Sequence, residues 1–254
     1  MNQSYDGGAC VCLVVPCYNE ERRLDIRSFR DFLANHKQAG ILFVDDGSRD
    51  GTQKILEQVC AGLENQSAVL KSEQNRGKAE AVRTGVEYAL QRFEPEIIGY
   101  WDADLATPLS TVDRFLRVFA SNSDVLMVFG ARVKLLGRRV ERRAIRHYLG
   151  RVFATVVSMM LRLPIYDTQC GAKLFRVNDQ LRAAFAQPFL SKWVFDVEIL
   201  ARYLRFFQKD RQVLEQTIYE YPLEQWIDVA GSKVHPADFL KAFLDILRIK
   251  RKYL

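Results

Sequence analysis

Two aspartates one residue apart, Asp102 and Asp104, follow the strand-like run that ends in Tyr100-Trp101. Carboxylates at that spacing in a turn can approach one hard divalent cation, so Mg2+ or Mn2+ is the expected cofactor. A lone Asp-x-Asp is also a common solvated turn, and position is what gives this one weight. A second acidic pair, Asp45-Asp46, closes another apolar run. Four carboxylates at neighbouring strand ends repel one another unless a cation, and ligand hydroxyl or imide groups, enter between them. Asn75-Arg76-Gly77-Lys78 brings the opposite charge to a predicted helix start, where backbone N–H groups and Lys78 can meet a phosphate. The segment is not a P-loop: position 72 is Ser where a glycine is required, and Ala79 replaces the hydroxyl residue that would hold Mg2+.

These groups need elements to position them. Cys10 to Val15, Ile41 to Val44, Ala68 to Leu70, Ile97 to Tyr100 and Val125 to Phe129 read as strands by composition and length. Glu20 to His36, Thr52 to Glu64 and Ala79 to Phe93 carry apolar residues at helical spacing between them. Strand and helix in alternation predict an α/β domain with a mainly parallel sheet covered on both faces. Ligands of such a sheet gather at the carboxyl ends of its strands, where Pro16-Cys17-Tyr18-Asn19-Glu20, Asp45-Asp46-Gly47-Ser48 and Asp102-Ala103-Asp104 all fall. The second half predicts an arginine-rich helical stretch, an apolar helix over Val152 to Leu161, a strand at Lys173 to Phe175, a helix near Val194 to Leu204 and a strand at Gln216 to Glu220. The expected division is a catalytic domain over 1–235 and a basic amphipathic helix over 236–254.

The chain of 254 residues is long enough for one core, and its 37 Lys and Arg against 31 Asp and Glu leave a net charge of +6. The excess sits between Lys134 and Arg151 and again from Lys241 onward, which suits phosphates or an anionic lipid surface. A nucleic-acid partner is not expected, since the basic stretches lack interleaved aromatic platforms and the acidic strand ends would go unexplained. Five scattered cysteines without a C-x-x-C pair point to reduced thiols and not to zinc. No stretch reaches the roughly 20 apolar residues of a bilayer span, and residues 1–8 lack the cationic start and apolar stretch of a signal peptide. The expected location is cytoplasmic, peripheral at the membrane.

Taken in order, Val15-Pro16-Cys17-Tyr18-Asn19-Glu20, Asp45-Asp46-Gly47-Ser48 with Asp50-Gly51-Thr52, Asn75-Arg76-Gly77-Lys78 and Asp102-Ala103-Asp104-Leu105 resemble the motifs of glycosyltransferase family two, with its GT-A fold. Asp167-Thr168-Gln169-Cys170-Gly171-Ala172-Lys173-Leu174-Phe175, Trp193 to Glu198 and Gly231-Ser232-Lys233 resemble its dolichyl-phosphate β-glucosyltransferase branch and the bacterial polyprenyl-phosphate relatives. The resemblance covers nearly the whole chain. It implies that Pro16, Tyr18 and Glu20 cradle the nucleotide of a nucleotide-sugar donor, with Lys78 and Ala103 beside it. It further implies that Asp45 and Asp46 read the base and ribose, and that Asp102 and Asp104 hold the metal on the diphosphate. Ala106 stands where mannosyltransferase relatives often carry Gln, which points to UDP-glucose before GDP-mannose.

In that branch the acceptor is a polyprenyl phosphate, already anionic at neutral pH, so in-line attack needs no strong base and inverts the anomeric centre. Asp196 and Glu198 are two apart on a helix, roughly 200° around it, so one alone can face the cleft. Asp196 is the choice, as base or as orienting group. Two anionic substrates need cations between them. Arg132 and Lys233 are assigned to the acceptor phosphate, with Arg142 and Arg146, which share a face with Arg139 if that stretch is helical. Along the tail, Phe239, Leu240, Phe243, Leu244 and Leu247 recur at helical spacing beside Lys241, Arg248 and Lys250 to Lys252. Such a helix suits a membrane interface, or packing on the domain or on a second copy of the chain in a homo-oligomer. The alternatives are a GDP-mannose enzyme, a non-lipid glycan acceptor, and an idle nucleotide-sugar-binding module.

Overall fold

The computed structural model describes residues 10–141, 144–227 and 236–254. A seven-stranded sheet organises them, in the order β3-β2-β1-β4-β7-β5-β8. The strands are β1 (Val11–Cys17), β2 (Ala39–Asp45), β3 (Ser67–Lys71), β4 (Ile97–Trp101), β5 (Met127–Ala131), β7 (Ala172–Arg176) and β8 (Ile218–Pro222). A small second sheet pairs β6 (Arg139–Glu141) with β9 (Gln225–Ile227). All pairs in the large sheet are parallel except those of β7, which runs antiparallel between β4 and β5. The expected mainly parallel sheet is therefore present.

Alternation along β1 sorts the core into two layers. Leu13 and Val15 face one side, where α1 (Ile26–Asn35), α2 (Thr52–Cys60) and α4 (Thr111–Ser121) bury Phe29, Leu56 and Phe115. Cys12 and Val14 face the other, under α3 (Lys78–Arg92), α5 (Ala144–Leu161), α6 (Asp179–Phe185), α7 (Phe195–Phe206), α8 (Arg211–Gln216) and α9 (Pro236–Tyr253). Phe43 on β2 is fully buried, and its truncation to Ala would cost about 3–5 kcal/mol. Gly85 lets α3 lie close on the sheet, since a methyl there would come within 2.4 Å of Val14.

Several element boundaries differ from the sequence reading. The first helix starts at Ile26, not Glu20, because Asp25 caps it through Ser28 N–H while the Glu20 carbonyl closes a turn with Arg23 and Leu24. The second ends at Cys60, before Gly62 takes a positive φ of 76°. Arg139 is not helical: it lies on β6, paired with Gln225, and α5 begins only at Ala144, so the expected arginine face from 139 onward does not exist as one helix. The strand expected at Gln216 to Glu220 runs instead from Ile218, because α8 occupies the residues before it.

The last helix packs on α7. Ala242, Ile246, Ile249 and Tyr253 are buried, and the Tyr253 hydroxyl donates to Glu198 Oε1 on α7 at 2.9 Å.

Candidate active site

The carboxyl ends of β1, β2 and β4 converge, and hydrogen bonds lock their loops together. After β1, Pro16 and Tyr18 are half-buried and Asn19 takes a left-handed φ of 52°. Asn19 N–H donates to Ser48 Oγ at 3.0 Å, and its side-chain oxygen accepts from Arg49 N–H at 2.9 Å. Glu20 is buried, its N–H on Thr52 Oγ1 at 2.7 Å and its carboxylate 2.5 Å from Arg23. These bonds fix the first loop on the second.

At the end of β2 the two aspartates divide their work. Asp46 accepts from the N–H groups of Arg76 and Gly77, each at 2.8 Å, so both of its oxygens hold the loop that starts α3. Asp45 accepts from Ser48 N–H at 2.9 Å through Oδ1, whereas Oδ2 is buried with no hydrogen-bond partner. A buried carboxylate oxygen left in that condition is costly, and it is the kind of acceptor a ligand donor satisfies.

At the end of β4, Asp102 N–H donates to Gly171 O at 2.9 Å and Asp104 Oδ1 accepts from Ala106 N–H at 3.1 Å, with Leu105 at φ 50° closing the turn and Ala103 buried beneath it. Burial first, and then the charge of Asp102, raise the Asp104 carboxyl above the usual carboxylate range. Lys78, the first residue of α3, places Nζ 2.5 Å from Asp102 Oδ1. Loss of surrounding water works against its ammonium, but Asp102 and Asp196 outweigh that and raise its pKa.

Asp196 sits in the first turn of α7, where the helix dipole favours an anion. Its Oδ1 accepts from the Tyr100 hydroxyl and lies 2.6 Å from Lys173 Nζ. Lys173 is buried and donates in addition to the carbonyls of Thr168 and Cys170, at 2.9 and 2.6 Å. Glu198 goes elsewhere, to Arg202, Tyr253 and the N–H of Leu190, so the two acids diverge as their helical spacing requires. Arg132 forms a fork with Asp167 through Nε at 2.6 Å and Nη2 at 2.8 Å, and stacks 5.3 Å over the Trp226 ring. Asp167 is held in turn by Gln169 N–H, and its own N–H donates to Glu220.

The structure thus brings Asp102, Asp104, Lys78 and Asp196 together, and sets the loops carrying Pro16, Tyr18, Glu20, Asp45 and Asp46 on one another beside them. Arg146 lies in the first turn of α5, while Arg142 and Lys233 fall outside the described residues. Tyr100, Asp167, Gly171 and Lys173 were not singled out by sequence reasoning for what they do here. The signal for Lys173 was present: one lysine inside the otherwise apolar strand Ala-Lys-Leu-Phe needs a buried counter-charge.

Known proteins resemble this chain in sequence and in fold. The profile of Glycosyl transferase family 2 matches residues 12–180. A dolichyl-phosphate beta-glucosyltransferase of Dictyostelium discoideum is 31% identical over 262 residues, covering 95% of this chain and 74% of the relative. One from Saccharomyces cerevisiae is 31% identical over 267 residues with the same two shares, 95% and 74%. Among solved structures, glucosyl-3-phosphoglycerate synthase from Mycobacterium tuberculosis with Mn2+, UDP-glucose and phosphoglyceric acid superposes with a TM-score of 0.67 at 17% identity, covering 96% of this chain and 80% of that one.

Proposed function

The chain is a glycosyltransferase of family 2 with a GT-A fold, and from that premise we propose that it moves glucose from UDP-glucose to the phosphate of a membrane polyprenol, inverting the anomeric centre. Relatives at about 30% identity are named as dolichyl-phosphate beta-glucosyltransferases, which supports a glucosyl group and a polyprenyl-phosphate acceptor. The observation that carries the reading is the placement of Asp102 and Asp104 and of the partnerless Asp45 oxygen at the carboxyl ends of the two strands that flank β1, an edge to be completed by a ligand with a cation and hydrogen-bond donors.

Among the described residues no group of three or more His, Cys, Asp or Glu side chains is arranged to hold a metal by itself. That donor set fits Mg2+ or Mn2+ held partly by substrate: such ions commonly take one or two carboxylates and complete their shell with phosphate oxygens and water. Asp102 and Asp104 would be the protein ligands. Held by these two carboxylates, such an ion would neutralise the charge that grows on the departing diphosphate.

The chain's own residues supply the rest. Pro16, Tyr18 and Glu20 wall the nucleotide, Asp45 accepts from it through Oδ2, and Asp46 acts at one remove by holding the loop of Arg76 and Gly77. Lys78 and Ala103 border the diphosphate. Asp196 serves as a fixed orienting anion: Tyr100 and Lys173 already donate to it, and a phosphate acceptor has no proton that must be removed. Arg132, Arg142, Arg146 and Lys233 are assigned to the acceptor phosphate, with Arg132 aimed by its fork to Asp167.

No helix among the described residues is long and apolar enough to cross a membrane. Access to a lipid acceptor is assigned to the outer face of α9 and the adjoining part of α5, which meet where Phe153 packs on Phe243. Val152, Met159, Leu244 and Leu247 are exposed there, and Lys241, Arg248, Lys250, Arg251 and Lys252 supply cationic flanks. An apolar strip with cations beside it suits peripheral binding to an anionic cytoplasmic leaflet.

The test is transfer from a panel of UDP-glucose, UDP-galactose and GDP-mannose, with and without polyprenyl phosphate and with and without Mn2+. The expected result is cation-dependent glucosylation of the lipid from UDP-glucose, abolished by Asp104→Ala. Turnover indifferent to lipid phosphate but driven by a soluble sugar would overturn the acceptor assignment.

A further inference from the structure

We infer that Lys78 is a gate on the cation site: it keeps Asp102 closed to a free divalent ion and yields only when a diphosphate arrives to receive its ammonium. The inference rests on the assignment of Asp102 and Asp104 as cation ligands. Both oxygens of Asp102 have close neighbours in the protein, while the side chain itself is only half-buried. Oδ1 lies 2.5 Å from Lys78 Nζ, and Oδ2 packs on the backbone of Gly171 so tightly that a methyl there would fall 1.8 Å from it. An ammonium and a divalent ion cannot both touch Oδ1, since three units of positive charge would meet at contact distance. Ligation by Asp102 through Oδ1 therefore requires Lys78 Nζ to withdraw.

Lys78 is built to do so. Its backbone is anchored, as the first residue of α3 directly after Gly77, whose N–H is held by Asp46. Its side chain is half-exposed on a flexible four-carbon stem. What restrains the ammonium is charge, because Asp104 and Asp196 attract it as well as Asp102. A free cation displaces Lys78 and offers it nothing in return. A diphosphate entering with the cation brings new anionic oxygens to the same place, so Lys78 exchanges one anion for another and the carboxylates exchange one cation for another. Binding of metal and of nucleotide is then positively coupled, and the coupling is reciprocal.

The experiment measures Mn2+ binding by the loss of the free-ion EPR signal, first with Mn2+ alone and then with UDP. Wild-type protein is expected to bind Mn2+ weakly alone and much more tightly with UDP. Lys78→Met and Lys78→Gln, whose folding is checked by urea unfolding, are each expected to bind Mn2+ alone at least about tenfold more tightly than wild type, with the gain from UDP reduced by a similar factor. Unchanged Mn2+ affinity in both variants without UDP would overturn the gate. Asp104→Ala separates that failure from failure of the site. If Asp104→Ala loses Mn2+ in the presence of UDP while both Lys78 variants match wild type without it, the cation site stands and the gate is wrong. If Asp104→Ala with UDP holds Mn2+ as wild type does, the site itself is misassigned.

Discussion

The strand ends of β1, β2 and β4 and the region built from β7, α7 and the Arg132 loop treat charge in opposite ways. On the first side acids are gathered and left under-compensated: Asp45 keeps a buried oxygen without a partner, and Asp104 is raised by burial and by Asp102. On the second side every charge named is matched inside the fold, Arg132 by Asp167, Lys173 by Asp196 and Arg202 by Glu198. Uncompensated charge is a standing cost that a ligand removes, whereas a matched buried pair is costly only when broken. On the proposed reading, the first side is where the donor complex binds, and the second is the frame that aims Asp196 and Arg132.

The sharpest way to break that contrast is to remove one member of a matched pair. Arg132→Met takes the guanidinium from buried Asp167, and Lys173→Met strands two carbonyls and removes the ammonium in contact with Asp196. Each is expected to destabilise by about 3–5 kcal/mol in urea unfolding. A loss below about 1 kcal/mol for both would show that the second side is not the structural frame described.

The next effect is on rate and belongs to the other side. Asp104→Asn is expected to lower transfer by about 10²–10³-fold, because it removes charge aimed at the departing diphosphate. Its unfolding free energy should stay level or rise, since a carboxyl held above its ordinary range favours its neutral form. A variant that lost stability and activity together would erase the distinction between the two sides.

The acidic side was legible in the sequence, and the reason is geometric. Once strands alternate with helices, the residue after each strand is at the ligand-binding edge, so Asp45, Asp46, Asp102 and Asp104 could be placed with no knowledge of any contact. The matched side was not, because each of its pairs joins segments far apart in the chain: Lys173 on β7 meets Asp196 on α7, and Tyr253 at the chain's end meets Glu198. Arg139 misled for the same reason, since local spacing suits a helix and only pairing with Gln225 makes it a strand. Lys78 was legible as a cation at a helix start, but its partner Asp102 was not.

A smaller effect probes how far the frame extends. Tyr253→Phe removes one hydrogen bond to a buried carboxylate at the join between α9 and α7, and a loss of about 1.5–3 kcal/mol is expected. If that bond also steadies the helix start that carries Asp196, kcat falls while KM for UDP-glucose does not. Equal stability with unchanged kcat would confine the frame to α7 itself.

The smallest effect is a pH dependence, and its sign differs from that of ordinary acid denaturation. Asp104 binds its proton more tightly folded than unfolded, chiefly because of burial and then because of Asp102. Between the unfolded value near about 4 and the raised folded value, the native state holds more protons than the unfolded one. Stability from this group is then fully present below that window and is lost as pH rises through it. Asp104 is partly exposed, so screening by solvent keeps the change below about 1 kcal/mol. Unfolding free energies of wild type and Asp104→Asn, measured across the window without divalent cation, should diverge as pH rises, with wild type falling relative to the variant. Parallel profiles would mean that the acid carries no standing electrostatic cost, and the contrast between the two sides would then rest on Asp45 alone.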